Sequence, residues 1–190
     1  MTGPFVSRGG EKLHHALEAF SLSPAGLVCA DLGCSTGGFT DCLIQHGAAR
    51  VYAVDRGYGV LAASLRSDSR VVLFERTDAL RVHLPELVNL VTIDAGWTRQ
   101  ALILPAAVRL LAPGGRILTL VKPQYEASAD RLRDGVLPDE QIESVIAPIR
   151  ASLAAMKLSL LGETPSPIRG QGGNQELLWL IATAPGTAGS

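Results

Sequence analysis

The sequence predicts an α/β protein built on a doubly wound sheet of about seven strands, mostly parallel with an antiparallel last strand, with helices on both faces. Three observations predict it. Short, β-branched apolar runs alternate with stretches of helical period. A glycine-rich turn, Asp31-Leu-Gly-Cys-Ser-Thr-Gly-Gly38, follows the first apolar run where a strand would hand over to a helix. The 190 residues are 47% hydrophobic and 18% charged, enough apolar material for one sheet covered on both sides.

The elements follow in order. A helix over 9–20 comes first, behind Ser7-Arg-Gly-Gly10, and the first strand is expected at 27–32. The glycine-rich turn opens a helix over 38–47, and a strand at 50–55 follows Gly47. A helix at 58–67 separates that strand from the next, at 70–75, and a fourth strand is expected at 90–94. The helix over 98–111 ends at Leu111-Ala-Pro-Gly-Gly115, a turn ahead of the strand at 116–121. A helix over 138–156 and strands at 158–164 and 176–183 complete the set. Residues 1–184 thus read as one domain, and Pro185-Gly-Thr-Ala-Gly-Ser190 as a flexible tail.

Composition excludes several classes. Seventeen Lys and Arg against eighteen Asp and Glu leave a net charge of -1, so a nucleic-acid surface would have to be a local basic patch. The longest apolar runs, 117–121 and 177–183, fall far short of the roughly 18 residues that a membrane span needs, and no membrane partner is expected. The first ten residues lack the basic start and apolar stretch of a secretory signal, which makes the cytoplasm the expected location. Cys29, Cys34 and Cys42 form no C-x-x-C, and His14, His15, His46 and His83 show no ligand spacing, so no metal is expected.

In a doubly wound sheet, ligands bind beyond the carboxyl ends of the strands where strand order reverses. The residues there are 31–38, 55–58, 76–79, 94–99 and 122–126. A dinucleotide fingerprint would place glycines at 33, 35 and 38, but position 35 is Ser35, which disfavours a pyrophosphate cradle. Asp55 closes the second strand, where a carboxylate accepts both hydroxyls of an adenosine ribose. An adenosine ligand without a diphosphate fits, and S-adenosylmethionine is the commonest such cofactor. Asp31, Gly33, Ser35, Gly37, Gly38, Phe39 and Asp55 are the first candidates to hold it. Arg76, Asp78 and Ala79 follow the third strand at the adenine's expected place, and Asp94, at the end of the fourth strand, completes the cofactor candidates. Asp78 reads equally as a helix cap.

Asp94 and Lys122 end adjacent strands at one edge. A lysine ending so apolar a run as Ile117-Leu-Thr-Leu-Val121 calls for a partner, since a half-buried charge is costly alone. Glu176 opens the final strand, and an antiparallel course brings it to the same edge. Lys12 starts a helix of about 12 residues, or roughly 18 Å, long enough to reach that edge from the base of the first strand.

Ser7-Arg-Gly-Gly-Glu-Lys-Leu13, Asp31-Leu-Gly-Cys-Ser-Thr-Gly-Gly-Phe-Thr40, Thr92-Ile-Asp94, Leu120-Val-Lys-Pro-Gln124 and Gly173-Asn-Gln-Glu176 resemble the FtsJ-like ribosomal-RNA ribose methyltransferases, in particular their TlyA-type, hemolysin-named branch. The resemblance covers residues 7 to about 183 and implies a Rossmann-like class I methyltransferase fold, S-adenosylmethionine as donor and ribosomal RNA as partner. It implies a Lys-Asp-Lys-Glu tetrad for 2′-O-methylation, mapping by motif onto Lys12, Asp94, Lys122 and Glu176. In that scheme Lys122 is the general base, Asp94 holds it, and Lys12 and Glu176 orient the acceptor ribose. TlyA-type proteins usually carry a small RNA-binding domain ahead of the catalytic one, so the catalytic domain alone is expected here. Gly96-Trp97 stands where the family has Ser-Phe, and Ala127–Asp134 replaces a Gly/Lys-rich loop. Arg8, Trp97, Arg99, Arg131, Arg133 and Arg169 are the substrate-facing candidates, although a Trp after a strand more often packs, the reading favoured for Trp97, and scattered arginines usually mark a solvated face. A small-molecule methyltransferase and a cofactor-binding module without catalysis remain as alternatives.

Overall fold

A computed structural model describes residues 3–96, 98–170 and 172–184. The order is α1 (Gly9–Ala19), β1 (Val28–Leu32), α2 (Gly38–Gln45), β2 (Arg50–Val54), α3 (Ala63–Arg66), β3 (Val71–Phe74), β4 (Val88–Ile93), α4 (Gln100–Val108), β5 (Leu111–Val121), α5 (Pro123–Glu126), α6 (Ile142–Ser152), β6 (Leu158–Pro165) and β7 (Leu177–Thr183). The strands form one sheet in the order β3-β2-β1-β4-β5-β7-β6. Strands β3, β2, β1, β4 and β5 run parallel, and β7 runs antiparallel to both neighbours. This is the mixed, doubly wound sheet that the sequence predicts, and strand order reverses between β1 and β4, at the mouth of the glycine-rich turn.

Alternation along the strands sorts the core into two faces. On one, Leu90, Leu118 and Leu178 meet Leu13 and Leu17 of α1 and Phe39 and Leu43 of α2. On the other, Val91, Ile117 and Trp179 meet Ile103 and Leu104 of α4 and Ile146 of α6. Each such leucine or isoleucine contributes about 1.5–3 kcal/mol by leaving water, which is what clamps α1 and α2 against the sheet and fixes the heights of Lys12 and the glycine-rich turn.

Three helices are shorter than their sequence pattern. The helix expected over 58–67 is only α3, because Gly57-Tyr-Gly59 forms an exposed turn with Gly59 at φ +72°. The helix expected over 98–111 stops at Val108, since Leu111 already pairs with Val88 and the Pro-Gly-Gly turn is an irregularity within β5. The stretch 138–156 divides into α6 flanked by 3-10 turns at Asp139–Gln141 and Ala154–Met156. The sequence reading missed α5, a single turn begun by Pro123 at its first position. No helix among the described residues is long and apolar enough to cross a membrane. The stretch 185–190, read as a tail, lies outside the described residues.

Candidate active site

A cleft of about 870 Å³ opens at the carboxyl edge of the sheet, and Lys12, Asp94, Lys122 and Glu176 all line it. Asp94 follows β4 and Lys122 follows β5, and their side chains meet with Lys122 Nζ 2.6 Å from Asp94 Oδ1. From the first turn of α1, Lys12 Nζ donates to Glu176 Oε2 at 2.5 Å. Glu176 precedes β7, so the antiparallel strand delivers it to an edge that a parallel strand would have left only at its far end. Burial pushes the Lys122 ammonium down, but Asp94, reinforced by Glu176, outweighs it and carries the pKa above the ordinary lysine value.

The glycine-rich turn forms the opposite wall. Gly33 sits at φ +85°, and a Cβ there would lie 2.7 Å from the Asp94 carbonyl oxygen, so only glycine lets this turn approach the end of β4. Ser35 also takes a left-handed φ of +48°. Its N–H donates to Asp55 Oδ2 at 2.8 Å, while Gly57 N–H donates to Oδ1 at 2.6 Å. Asp55 therefore ties the first two strand-to-helix turns together, and each of its oxygens keeps a lone pair for a ligand. Gly37 caps α2 in the left-handed region, Gly38 starts that helix, and Phe39 lines the cleft while packing into the core.

A smaller hollow of about 190 Å³ shares Gly33, Asp55 and Gly96 with the cleft and is walled by Asp78, Ala79, Leu80 and Ile103. Asp78 accepts from the Leu80 N–H at 3.0 Å and pairs with Arg56 at 2.7 Å. These two contacts, the N–H first, hold its carboxyl below the usual range. The Arg76 guanidinium lies over the Tyr58 ring, 4.3 Å from its centroid.

Other candidates lie elsewhere. Asp31 is fully buried within β1 and is absent from the cleft wall; its oxygens accept from Thr40 Oγ1 at 2.6 Å and Thr92 Oγ1 at 3.1 Å, joining α2 and β4. Burial pushes its carboxyl up to about 7 against those two hydrogen bonds. An acid with a higher pKa folded than unfolded (about 3.9) binds its proton more tightly when folded, so its contribution falls as pH rises from about 4 to 7 and is level above. Asp31→Asn, neutral throughout, is expected to flatten that part of the melting-temperature profile. A variant whose profile parallels the parent's would place the titration elsewhere.

Of the arginines, Arg8 lines the cleft. Arg131 donates to Gln141 and Ser144, Arg169 pairs with Asp139 at 2.6 Å, Arg133 joins Val136 in a backbone turn, and Arg99 caps α4. None of these four is on the cleft wall, and Trp97 lies outside the described residues. Sequence reasoning passed over Ser7, Gln124, Tyr125 and Asn174, which do line it. The signal for Ser7, Gln124 and Asn174 was their place within the motifs already picked for Lys12, Lys122 and Glu176, and Tyr125 directly follows one of them.

A family model described as FtsJ-like methyltransferase matches residues 5–182. The chain belongs to the FtsJ-like methyltransferase family. Within that family it is 45% identical over 184 residues to the protein named 16S/23S rRNA (cytidine-2′-O)-methyltransferase TlyA of Mycobacterium tuberculosis, a match covering 93% of this chain and 68% of that protein. Hemolysin A of Brachyspira hyodysenteriae is 36% identical, over 92% of this chain and 75% of the relative. A solved structure of a hemolysin-named protein from Streptococcus thermophilus superposes with a TM-score of 0.92 at 37% identity, covering 97% of this chain and 69% of the other. Methyltransferase structures at 16–19% identity share the class I fold with TM-scores of 0.63–0.67.

Proposed function

We propose that this FtsJ-like methyltransferase transfers a methyl group from S-adenosylmethionine to a ribose 2′-hydroxyl of ribosomal RNA. The observation that carries the reading is the pair of acid–base contacts, Lys122–Asp94 and Lys12–Glu176, on one cleft facing the Asp55-backed glycine turn. The name of the M. tuberculosis relative supports the acceptor. The donor set fits S-adenosylmethionine: close-approaching backbone at Gly33, carboxylate lone pairs at Asp55, and a side hollow beyond Asp78 and Ala79 for a base. That cofactor supplies an electrophilic methyl group on a sulfonium.

The chain's own residues supply the rest. Asp55 holds the cofactor ribose, Asp94 orients Lys122, and Lys122 Nζ takes the proton of the acceptor hydroxyl. Because Asp94 raises its pKa, only the neutral fraction of Lys122 serves, and positive charge brought near Asp94 weakens its hold on the proton. Lys12 and Glu176 fix the acceptor in line, the positioning that converts a poor nucleophile into a reactive one. Arg8 gives the cleft a positive wall for a phosphate.

Asp55→Ala is expected to weaken S-adenosylmethionine binding tenfold or more, since charge-assisted hydrogen bonds contribute about 1.5–3 kcal/mol each. Unchanged affinity by titration calorimetry would remove Asp55 from the cofactor site. The acceptor is tested by incubating the protein and labelled S-adenosylmethionine with ribosomal subunits or with an RNA-free metabolite extract. Label is expected in RNA, in alkali-resistant dinucleotides. Label in a small metabolite alone would overturn the acceptor assignment.

A further inference from the structure

Beyond the tetrad, two turns build the outer wall of the cleft, and one buried amide joins them. Arg133-Asp-Gly-Val136 is a tight turn closed by reciprocal backbone hydrogen bonds of 2.8 and 2.9 Å, with Asp134 at φ +51° and Gly135 at φ +81°. Across from it, Gly170 N–H donates to the Asn174 carbonyl and Gly173 N–H to the Gly170 carbonyl, both at 2.9 Å. Gly170 packs so closely on Glu176 that a Cβ there would stand 2.5 Å from Oε1. Asn174 is 5% exposed, and its side chain spans the gap. Its Oδ1 accepts from Leu137 N–H at 2.8 Å, and its Nδ2 donates to the Gly135 carbonyl at 3.1 Å. One amide orientation alone satisfies both contacts, because the backbone offers a donor on one side and an acceptor on the other. Outside this clasp, Arg169 binds Asp139 at 2.6 Å and the Gly173 carbonyl at 3.0 Å, tying the same two segments a second time.

We propose that Asn174 is a positioning residue for methyl transfer, its buried amide setting the spacing between Glu176 and the Asp134–Gly135 turn and so the width of the wall that receives the acceptor. The inference rests on the reading that Lys12 and Glu176 orient the acceptor hydroxyl. The side-chain hydrogen bonds of Asn174 go to Leu137 and Gly135, neither of them assigned to the cofactor, and a misplacement of about 1 Å at a reacting group costs roughly 10²-fold in rate. Its loss therefore acts on turnover and leaves cofactor binding alone.

The test uses Asn174→Ala and Asn174→Asp, assayed on ribosomal subunits below the melting temperature of each variant. Asp keeps the acceptor for Leu137 N–H but sets a carboxylate against the Gly135 carbonyl. Both variants are expected to lose roughly 10²-fold in kcat, with S-adenosylmethionine Kd held within about twofold. Hydrogen exchange at the Leu137 amide is expected to quicken in Asn174→Ala. Combined with Glu176→Gln, Asn174→Ala should add little further loss, because residues acting through one group are not additive. Full turnover in Asn174→Ala while Glu176→Gln is inactive overturns this inference and spares the tetrad. Full turnover in Glu176→Gln overturns the reading beneath it. Losses that multiply in the double variant, or cofactor affinity falling along with kcat, would make Asn174 a general structural residue and overturn the proposal too.

Discussion

Lys122→Ala is expected to abolish methylation while S-adenosylmethionine still binds with nearly the parent's affinity. A positioned general base contributes about 10²–10⁴-fold, and removing Lys122 also strands Asp94, whose buried Oδ1 has no hydrogen-bond partner among the described residues beyond this ion pair. Some thermal stability goes with it, so turnover is compared where both proteins are folded. Lys122→Arg should not restore activity, since arginine keeps the charge but, with a pKa above about 12, cannot accept a proton. The pH profile separates base from mere cation. With the Lys122 pKa raised, its neutral fraction grows about tenfold per pH unit through the neutral and mildly alkaline range, and turnover should climb with it. A profile flat from pH 7 to 9, or full activity in folded Lys122→Ala, would sink the role assigned here.

The second large effect falls on stability. Lys12 is 9% and Glu176 3% exposed, so Glu176→Ala leaves an ammonium buried without its partner. Breaking a buried pair from one side costs about 3–5 kcal/mol. At about 2–4 °C per kcal/mol for a domain of this size, the melting temperature should drop by on the order of 10 °C. Water entering the cleft will hold the loss toward the lower end. Lys12→Met combined with Glu176→Leu removes both charges and should recover most of the stability but none of the activity. A Glu176→Ala protein melting at the parent's temperature would show that the pair is solvated and structurally idle.

Strand ends were legible in the sequence because a single charged residue closing an apolar run, as at Asp94 and Lys122, marks where the chain leaves the sheet. Glu176 was legible once β7 was read as antiparallel, and its register with β5 places it at the common edge. Side-chain direction was not. Asp31 lies inside β1 and Asp55 just beyond β2, yet both read alike as acids at early strand ends; one points between α2 and β4 and the other into the cleft, a difference set by the pleat and by Thr40 and Thr92. The pairing of the arginines was not legible either, because their partners are distant in sequence. Asp139 lies 30 residues from Arg169, and Ser144 lies 13 from Arg131. Helix lengths were overread wherever apolar periodicity ran past a Gly-Tyr-Gly or Pro-Gly-Gly turn, which backbone conformation overrules.

The place of β7 has a consequence for how the chain acquires its structure. Strands β5 and β6 do not pair with each other; both pair with β7, which is made last of the three. During synthesis the sheet can grow only as far as β5, leaving that strand's outer edge bare and β6 without a partner until residues 177–183 emerge. The same segment brings Glu176 to Lys12 across 164 residues of chain, so closure of the sheet and closure of the cleft are one late, non-local event. An interrupted product ending before β7 would carry the glycine-rich turn and Asp55 but present an unpaired apolar strand edge, the feature by which partly made sheets aggregate.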